Sequence, residues 1–514
     1  MSKTIIIIGA GLAGLSAALQ AAENGCNVKL VSSLPSERAQ SVMAEGGINA
    51  ALNTKDENDS PEEHFTDTIK AACGLADPNA VWGMTQAAPE LVHWLLKLGV
   101  KFNMSGYDDV DLRNFGGQKK KRTAFAQSDT GKQIMTAMID AVRRKEASGM
   151  VERFSHHSFL TLRLCGNICC GCVIRDEYSQ ETVELPGDAV IVATGGMHGL
   201  FGNTTGSLSN TGEVTAELFR LGVPLANGEM IQYHPTTVKC GGKRMLISEA
   251  ARGEGGRLFA MKDGKQWYFM EEKYPELGNL MPRDITAREI WKVSHESEVF
   301  LDMTEISDEI ISNKLSGLAD DCMTYLHKDI RKEPVSVLPG IHYFMGGILV
   351  DEQHRTPIQN LCAAGECCAQ YHGANRLGGN SLLGALYGGR VAAKSACEQA
   401  DVVDLSCATQ IDFPPASQIS EIKQLNKVMQ ETMGVVRNEN TLLNGIQTVQ
   451  ALTGNLPLLG MAVLKSALAR KESRGAHWRE DYPKSNDDNY LKTTVARFDG
   501  KQIQISFVPV PERR

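Results

Sequence analysis

The chain has 514 residues, 42% of them hydrophobic and 22% charged, with a formal net charge of -8. That length exceeds what one hydrophobic core fills, so two or three domains are expected, and the acidic balance argues against a nucleic-acid footprint. No window approaches the uncharged apolar length of a membrane helix, so any membrane link is expected to come through a partner and the chain itself to be cytoplasmic.

Taken in chain order, residues 5 to 31 form one unit: an apolar strand, the turn Gly9-Ala10-Gly11-Leu12-Ala13-Gly14, a helix through about Asn24, and a second strand from Val28 to Val31. Gly9 permits the tight turn, Gly11 lets the backbone approach a pyrophosphate, and Gly14 allows the helix to pack closely on the strand. The helix N-terminus adds free N–H groups and the positive end of its dipole. Alone, Gly-x-Gly-x-x-Gly is weak evidence; between a strand and a helix it predicts dinucleotide binding. The acid that usually holds the ribose hydroxyls is replaced by Ser32 and Ser33, whose hydroxyls can make that bond.

Further along, Lys119-Lys120-Lys121-Arg122 reads as a solvated loop rather than a binding patch. Thirteen cysteines point to reduced thiols. Cys165, Cys169, Cys170 and Cys172 include a Cys-x-x-Cys, but they fall on two strands around Gly166-Asn167, where cysteine serves as a small apolar residue; no metal site is read there. Cys367 and Cys368 read the same way. Val190 to Gly196 and Leu361 to Glu366 are further strands ending in Ala193-Thr194-Gly195 and in Glu366, places where dinucleotide-binding sheets hold ligand groups. Contacts spread from Gly9 to Glu366 suit a cofactor as long as FAD. After a linker at Asp412 to Ser417, Gln418 to Thr453 has helical apolar spacing.

More specific blocks begin at Ala44-Glu45-Gly46-Gly47-Ile48-Asn49 and continue with Phe115-Gly116-Gly117-Gln118, Arg122-Thr123, Asp129-Thr130-Gly131 and Gln232-Tyr233-His234-Pro235-Thr236. Then follow Ser248-Glu249-Ala250-Ala251-Arg252-Gly253-Glu254-Gly255-Gly256, Pro282-Arg283-Asp284, His342-Tyr343-Phe344-Met345-Gly346-Gly347, His372 to Leu382, and Glu472 to Pro483. In order and approximate spacing this series resembles the flavoproteins of fumarate reductase and succinate dehydrogenase over nearly the whole chain. The resemblance implies an α/β fold: a Rossmann-like FAD-binding domain at 1–227 and 339–403, an inserted α+β capping domain at 228–338, and a helical C-terminal domain at 404–514.

It also implies the site. FAD would contact Gly9, Gly11, Leu12, Ala13, Gly14, Ser32, Ser33, Ser41, Ala44, Glu45, Gly46, Gly47, Ala193, Thr194, Gly195, Glu366, Arg376, Gly379, Ser381, Leu382 and Leu383. His342 and Arg376 would grip one carboxylate of a dicarboxylate, His234 and Ser248 the other, with Phe115 and Gly379 alongside; Arg suits the task because its planar fork binds both oxygens. Arg283 matches the family's proton donor, with Glu249 and Arg252 restoring its proton from one helix face. Arginine is ordinarily a poor acid, so this role requires a strongly basic developing carbanion. His372 is expected behind these residues, and Glu472, Arg474, His477 and Arg479 are expected to tie the C-terminal region to the rest. The electron source is expected to be a separate iron-sulfur subunit or other redox partner.

Three readings compete. L-aspartate oxidase shares the flavin motifs and the Arg283 to Arg288 pattern, but Phe115-Gly116-Gly117-Gln118 and Arg376-Leu377-Gly378-Gly379 speak against it. A non-catalytic FAD scaffold would have no use for the carboxylate clamp. The third reading keeps the clamp but turns it on a related unsaturated acid, with Phe344, where relatives often carry a smaller polar residue, as the bulkier neighbour of His342 that could reshape the pocket. The resemblance also places Gln40 where membrane-complex relatives carry a flavin-linked histidine, so non-covalent FAD and a bias toward fumarate reduction are expected.

Overall fold

Four consecutive isoleucines, Ile5 to Ile8, leave neither face of a strand fit for water, and the chain places them in the middle of a five-stranded parallel sheet. The strand Thr4–Ile8 lies between Asn27–Ser32 and Ala189–Val192, with Val151–Ser155 and Leu361–Ala363 at the two edges. Ile5 and Ile7 pack under the helices Leu12–Glu23 and Asn380–Gln399, while Ile6 and Ile8 pack on the other face. Each buried side chain of this size contributes about 1.5–3 kcal/mol. The computed structural model describes residues 2–106, 108–399, 413 and 419–514; the proposed linker at 412–417 therefore lies, Phe413 apart, outside the described residues.

The second face of the sheet is covered by the antiparallel strands His157–Cys165, Ile168–Asp176 and Thr182–Pro186. Cys169 and Cys172 are fully buried there against Ile6 and Val190, so the cysteine-rich hairpin is packing, as read. Cys165 departs from the expectation of reduced thiols: it is disulfide-bonded.

Residues 231–344 build two further sheets. One joins Lys243–Leu246, Ile231–Cys240 and Leu338–Phe344; the other joins Lys265–Trp267, Arg257–Lys262, Val299–Asp302 and Val335–Ser336. The helix Arg283–Val293 packs against Ile231–Cys240, which brings Arg283 to the strand that carries His234.

The helical spacing from Gln418 to Thr453 resolves into two helices, Ile419–Thr432 and Glu439–Val449, because Asn438 ends the break by capping the second, its side chain accepting from the Thr441 N–H at 2.9 Å. Beyond the helix Asn455–Ala469 comes only the short helix Asp487–Tyr490, and the region expected to be helical ends in strands: Lys492–Phe498 and Ile503–Pro509 form a hairpin that extends the sheet begun by Leu225–Ala226 and Gly347–Leu349. The reading of Lys119 to Arg122 as solvated fails at Arg122, which is fully buried between Asp59 at 2.8 Å and Asp67 at 3.0 Å.

Candidate active site

A cavity of about 910 Å³ runs from the carboxyl ends of the parallel strands to the sheet that carries His234 and His342. At its floor, Gly9 adopts φ +110° and donates its N–H to Val31 O at 2.8 Å. A Cβ on Gly14 would stand 1.8 Å from Gly9 O, so only glycine lets the helix start directly on the turn. The N-cap of that helix, Gly11, has no side-chain cap, and Leu12 N–H donates to Ser41 Oγ at 3.3 Å. Ser32 Oγ is buried, lines the cavity and has no partner in the protein. A bare helix N-terminus for a pyrophosphate and an orphaned hydroxyl for a ribose both fit FAD.

At the other end five polar side chains converge. Glu249 opens the short helix Glu249–Gly253, where Ser248 caps by accepting from the Ala250 N–H at 3.4 Å. Its Oε2 accepts from Arg283 Nε at 2.8 Å and Nη2 at 2.5 Å, and its Oε1 accepts from the Gly116 N–H at 3.0 Å and lies 3.5 Å from Arg252 Nη2. Arg283 Nη1 donates to Gln232 Oε1 at 3.1 Å. The rings of His234 and His342 meet edge to face with centroids 5.1 Å apart. His342 Nδ1 lies 2.8 Å from Thr205 Oγ1; His234 Nδ1 lies 3.1 Å from Thr236 O, and its Nε2 is buried without a partner. Arg376 stacks 4.4 Å over Tyr343, and its Nε also lacks a partner. Such unmatched donors in a cleft await a ligand that accepts hydrogen bonds.

Electrostatics sharpen this. Burial, with Arg283 and His342 nearby, holds His234 far below the usual histidine range, and burial with Arg283 and Arg376 does the same to His342, so both rings are neutral. Burial alone would raise Glu249; Arg283 and Arg252 outweigh it and keep the carboxylate ionised. Burial and the neighbouring Arg283 bring Arg376 down to about 9. Glu45 goes the other way: burial and the Asp321 carboxylate, against Arg113, push it up to about 8, so it is uncharged at neutral pH beside Ser248.

Of the residues read from sequence, His234, Ser248, Glu249, Arg283, His342, Arg376, Phe115 and Gly379 all line this cavity. So do Gly9, Gly11, Leu12, Ala13, Ser32, Ser33, Ser41, Ala44, Glu45, Gly46, Gly47, Ala193, Thr194, Gly195, Glu366, Ser381 and Leu382. Gly14 lies under the turn and Arg252 behind Glu249. Leu383 differs: it points into the core beneath the helix Asn380–Gln399. Phe344 differs as well. It is 1% exposed and packed against His198 and Phe201 without lining the cavity, and only its backbone N–H reaches toward the site, donating to Glu366 Oε1 at 3.1 Å. His372 sits behind the lining, its ring 5.3 Å from that of Tyr343. Sequence reading missed Thr205, which orients His342, and His156 and His157, which line the cavity from the antiparallel hairpin. His156 and His157 sit in no glycine-bounded block; Thr205, although between Gly202 and Gly206, meets His342 only through the long-range bond of its N–H to Ile341 O at 3.0 Å.

Two family profiles match the chain: the FAD binding domain over residues 4–382 and the fumarate reductase flavoprotein C-term over residues 452–513. With the glycine turn and the polar cluster in one cavity, these define an FAD-dependent oxidoreductase. The succinate dehydrogenase flavoprotein subunit of Bacillus subtilis is 38% identical over 576 aligned positions, covering 100% of this chain and 98% of that protein. The 8-methylmenaquinol:fumarate reductase flavoprotein subunit of Wolinella succinogenes is 32% identical, covering 100% and 92%. A structure of Escherichia coli quinol fumarate reductase superposes with a TM-score of 0.90 at 27% identity, covering 99% of this chain and 97% of that one. The chain belongs to the family of succinate dehydrogenase and fumarate reductase flavoproteins.

Proposed function

We propose that the chain interconverts fumarate and succinate, works mainly as a fumarate reductase, and receives its electrons from an iron-sulfur subunit or another redox partner. The observation that carries this reading is the convergence of Arg376, His342, His234 and Arg283 on one cavity with the dinucleotide turn. Arg376 and His342 hold one carboxylate; His234 and Ser248 hold the other. Neutral imidazoles serve as N–H donors here, so the positive charge that attracts the dianion comes from the arginines. Drawing electron density into the clamped carboxylate makes the alkene carbon electrophilic. FAD held by Gly9 to Ala13, Ser32 and Ser41 would supply hydride chemistry at that carbon.

Arg283 places a guanidinium proton on the neighbouring carbon. Its Nε and Nη2 are anchored on Glu249 and its Nη1 on Gln232, which fixes the fork while a proton leaves. Glu249 and Arg252, 3.5 Å apart, return the proton from outside the site. Among the described residues no helix is long and apolar enough to cross a membrane, which supports the partner, not this chain, as the membrane link. No specific observation favours aspartate as substrate. Arg376→Ala tests the clamp: turnover should be lost and malonate binding, read from the flavin absorbance shift, should weaken by about a hundredfold or more. Malonate binding as tight as in the wild type removes Arg376 from the clamp.

A further inference from the structure

Arg244 is a cation without a counter-ion. It lies on the strand Lys243–Leu246, the outer member of the sheet whose other two strands carry His234 and His342. Its guanidinium is held on one side only: Nε donates to Thr237 Oγ1 at 2.5 Å, and Nη2 donates to the carbonyl oxygens of Thr237 and Leu338, each at 3.2 Å. All three acceptors are neutral, and among the described residues no carboxylate lies within salt-bridge distance of it. Arg283, by contrast, stands directly on Glu249. A half-buried arginine left to neutral oxygens keeps most of its desolvation cost uncompensated.

The same residue lines the cavity. Its backbone N–H donates to Thr204 O at 3.1 Å, next to Thr205, the hydroxyl that orients His342. A Cβ on Gly340, two residues before His342, would stand 2.6 Å from Arg244 Cδ, so that glycine gives the arginine stem its path along the strand. The pyrophosphate cradle is built by other residues, Gly9 to Ala13 and Ser41, and the guanidinium of Arg244 bonds to none of them.

We propose that Arg244 binds a carboxylate of the substrate, as the outer cationic wall of the compartment that holds His342. The inference rests on the reading of the chain as a dicarboxylate enzyme. It adds a third arginine that faces the anion to the two that the family motifs supply. Because the fork is already tied to Thr237 and Leu338, the charge reaches the anion with little further loss of side-chain freedom.

The test uses the FAD-loaded protein, with malonate as probe and the flavin absorbance shift as readout at low and high ionic strength. Arg244→Gln keeps donors for Thr237 and Leu338 but removes the charge. Its malonate Kd should rise about tenfold at low ionic strength and depend less on salt, with FAD content unchanged. Arg244→Lys keeps the charge and should bind malonate within about threefold of the wild type. Unchanged affinity in Arg244→Gln overturns the proposal, and so does loss of FAD, which would make the residue a cofactor anchor. Equal weakening in both variants overturns it too, since only strand tying would remain. If Arg244→Gln does not fold, Arg244→Met, which also removes the charge, takes its place with the same expected and overturning results. Should the wild type itself show no response to malonate or fumarate, it is the dicarboxylate reading that fails.

Discussion

At Arg283 the geometry supplies an unusual acid with an unusual degree of restraint. Three of its contacts point backward, to Glu249 and Gln232, and its remaining face lies on the cavity. Arg283→Lys keeps a positive charge but neither the fork nor the acidity, so fumarate reduction should fall at least about a hundredfold while flavin content stays normal. Turnover within a few fold of the wild type would exclude Arg283 as the donor. Glu45 makes a prediction of a different kind. Its carboxyl keeps its proton up to about pH 8, and ionisation above that adds a negative charge beside Ser248, where a dianion must bind. Malonate affinity should therefore weaken as pH rises through 8, before Arg376 loses its charge near 9. Glu45→Gln should abolish the first step and keep the second; a profile unaltered by the substitution would show that Glu45 does not titrate there. Residues set in short blocks bounded by glycine or proline, such as Arg283, His342 and Arg376, were legible in the sequence. Arg122 was not, because a basic run gives no sign that one member turns inward to meet Asp59 and Asp67. Phe344 was misread because its nearness to His342 in sequence hides a strand irregularity: the pairing with Ile231–Cys240 shifts register at His342, and the Phe344 ring goes into the core with Phe201.

At the scale of the element, the turn between Thr4–Ile8 and Leu12–Glu23 carries the clearest sequence signal and the tightest packing. Gly14→Ala would drive a methyl group into Gly9 O, and the helix must move off the strand to accommodate it. We expect a flavin-to-protein ratio well below that of the wild type and a loss of about 1–3 kcal/mol in stability by urea unfolding. Full flavin occupancy with an unchanged midpoint would mean that the helix start does not cradle the cofactor. The parallel strands were legible because both of their faces are apolar, and Ile5 to Ile8 read as one buried run. The C-terminal hairpin was not. Lys492–Phe498 and Ile503–Pro509 have one exposed side and short apolar content, and they become strands by pairing with Leu225–Ala226, more than 200 residues earlier.

Across the whole molecule, long-range polar pairs lock the C-terminal region onto the flavin-binding part. Arg470 stands on Glu229 at 2.7 Å, Arg474 Nη1 donates to Cys73 O at 3.1 Å, and Arg437 Nη1 donates to Glu229 O at 2.7 Å. Of the four residues read as tying the regions together, Arg474 does so directly; the side chains of Glu472, His477 and Arg479 bond within the C-terminal region, and Arg470 and Arg437, which make the other crossing contacts, lay outside that reading. The cofactor itself should be released as a free yellow supernatant on acid precipitation, because Gln40 lines the cavity where a linking histidine would stand and an amide nitrogen is a poor nucleophile. Flavin that stays with the pellet would contradict that. The most direct measurement follows the oxidation of reduced viologen by the FAD-loaded chain on addition of fumarate, beside the oxidation of succinate and of aspartate by the same preparation. The expected result is fumarate-dependent turnover that malonate inhibits competitively, much faster than succinate oxidation; oxidation of aspartate with no response to succinate, and no fumarate turnover, would contradict it.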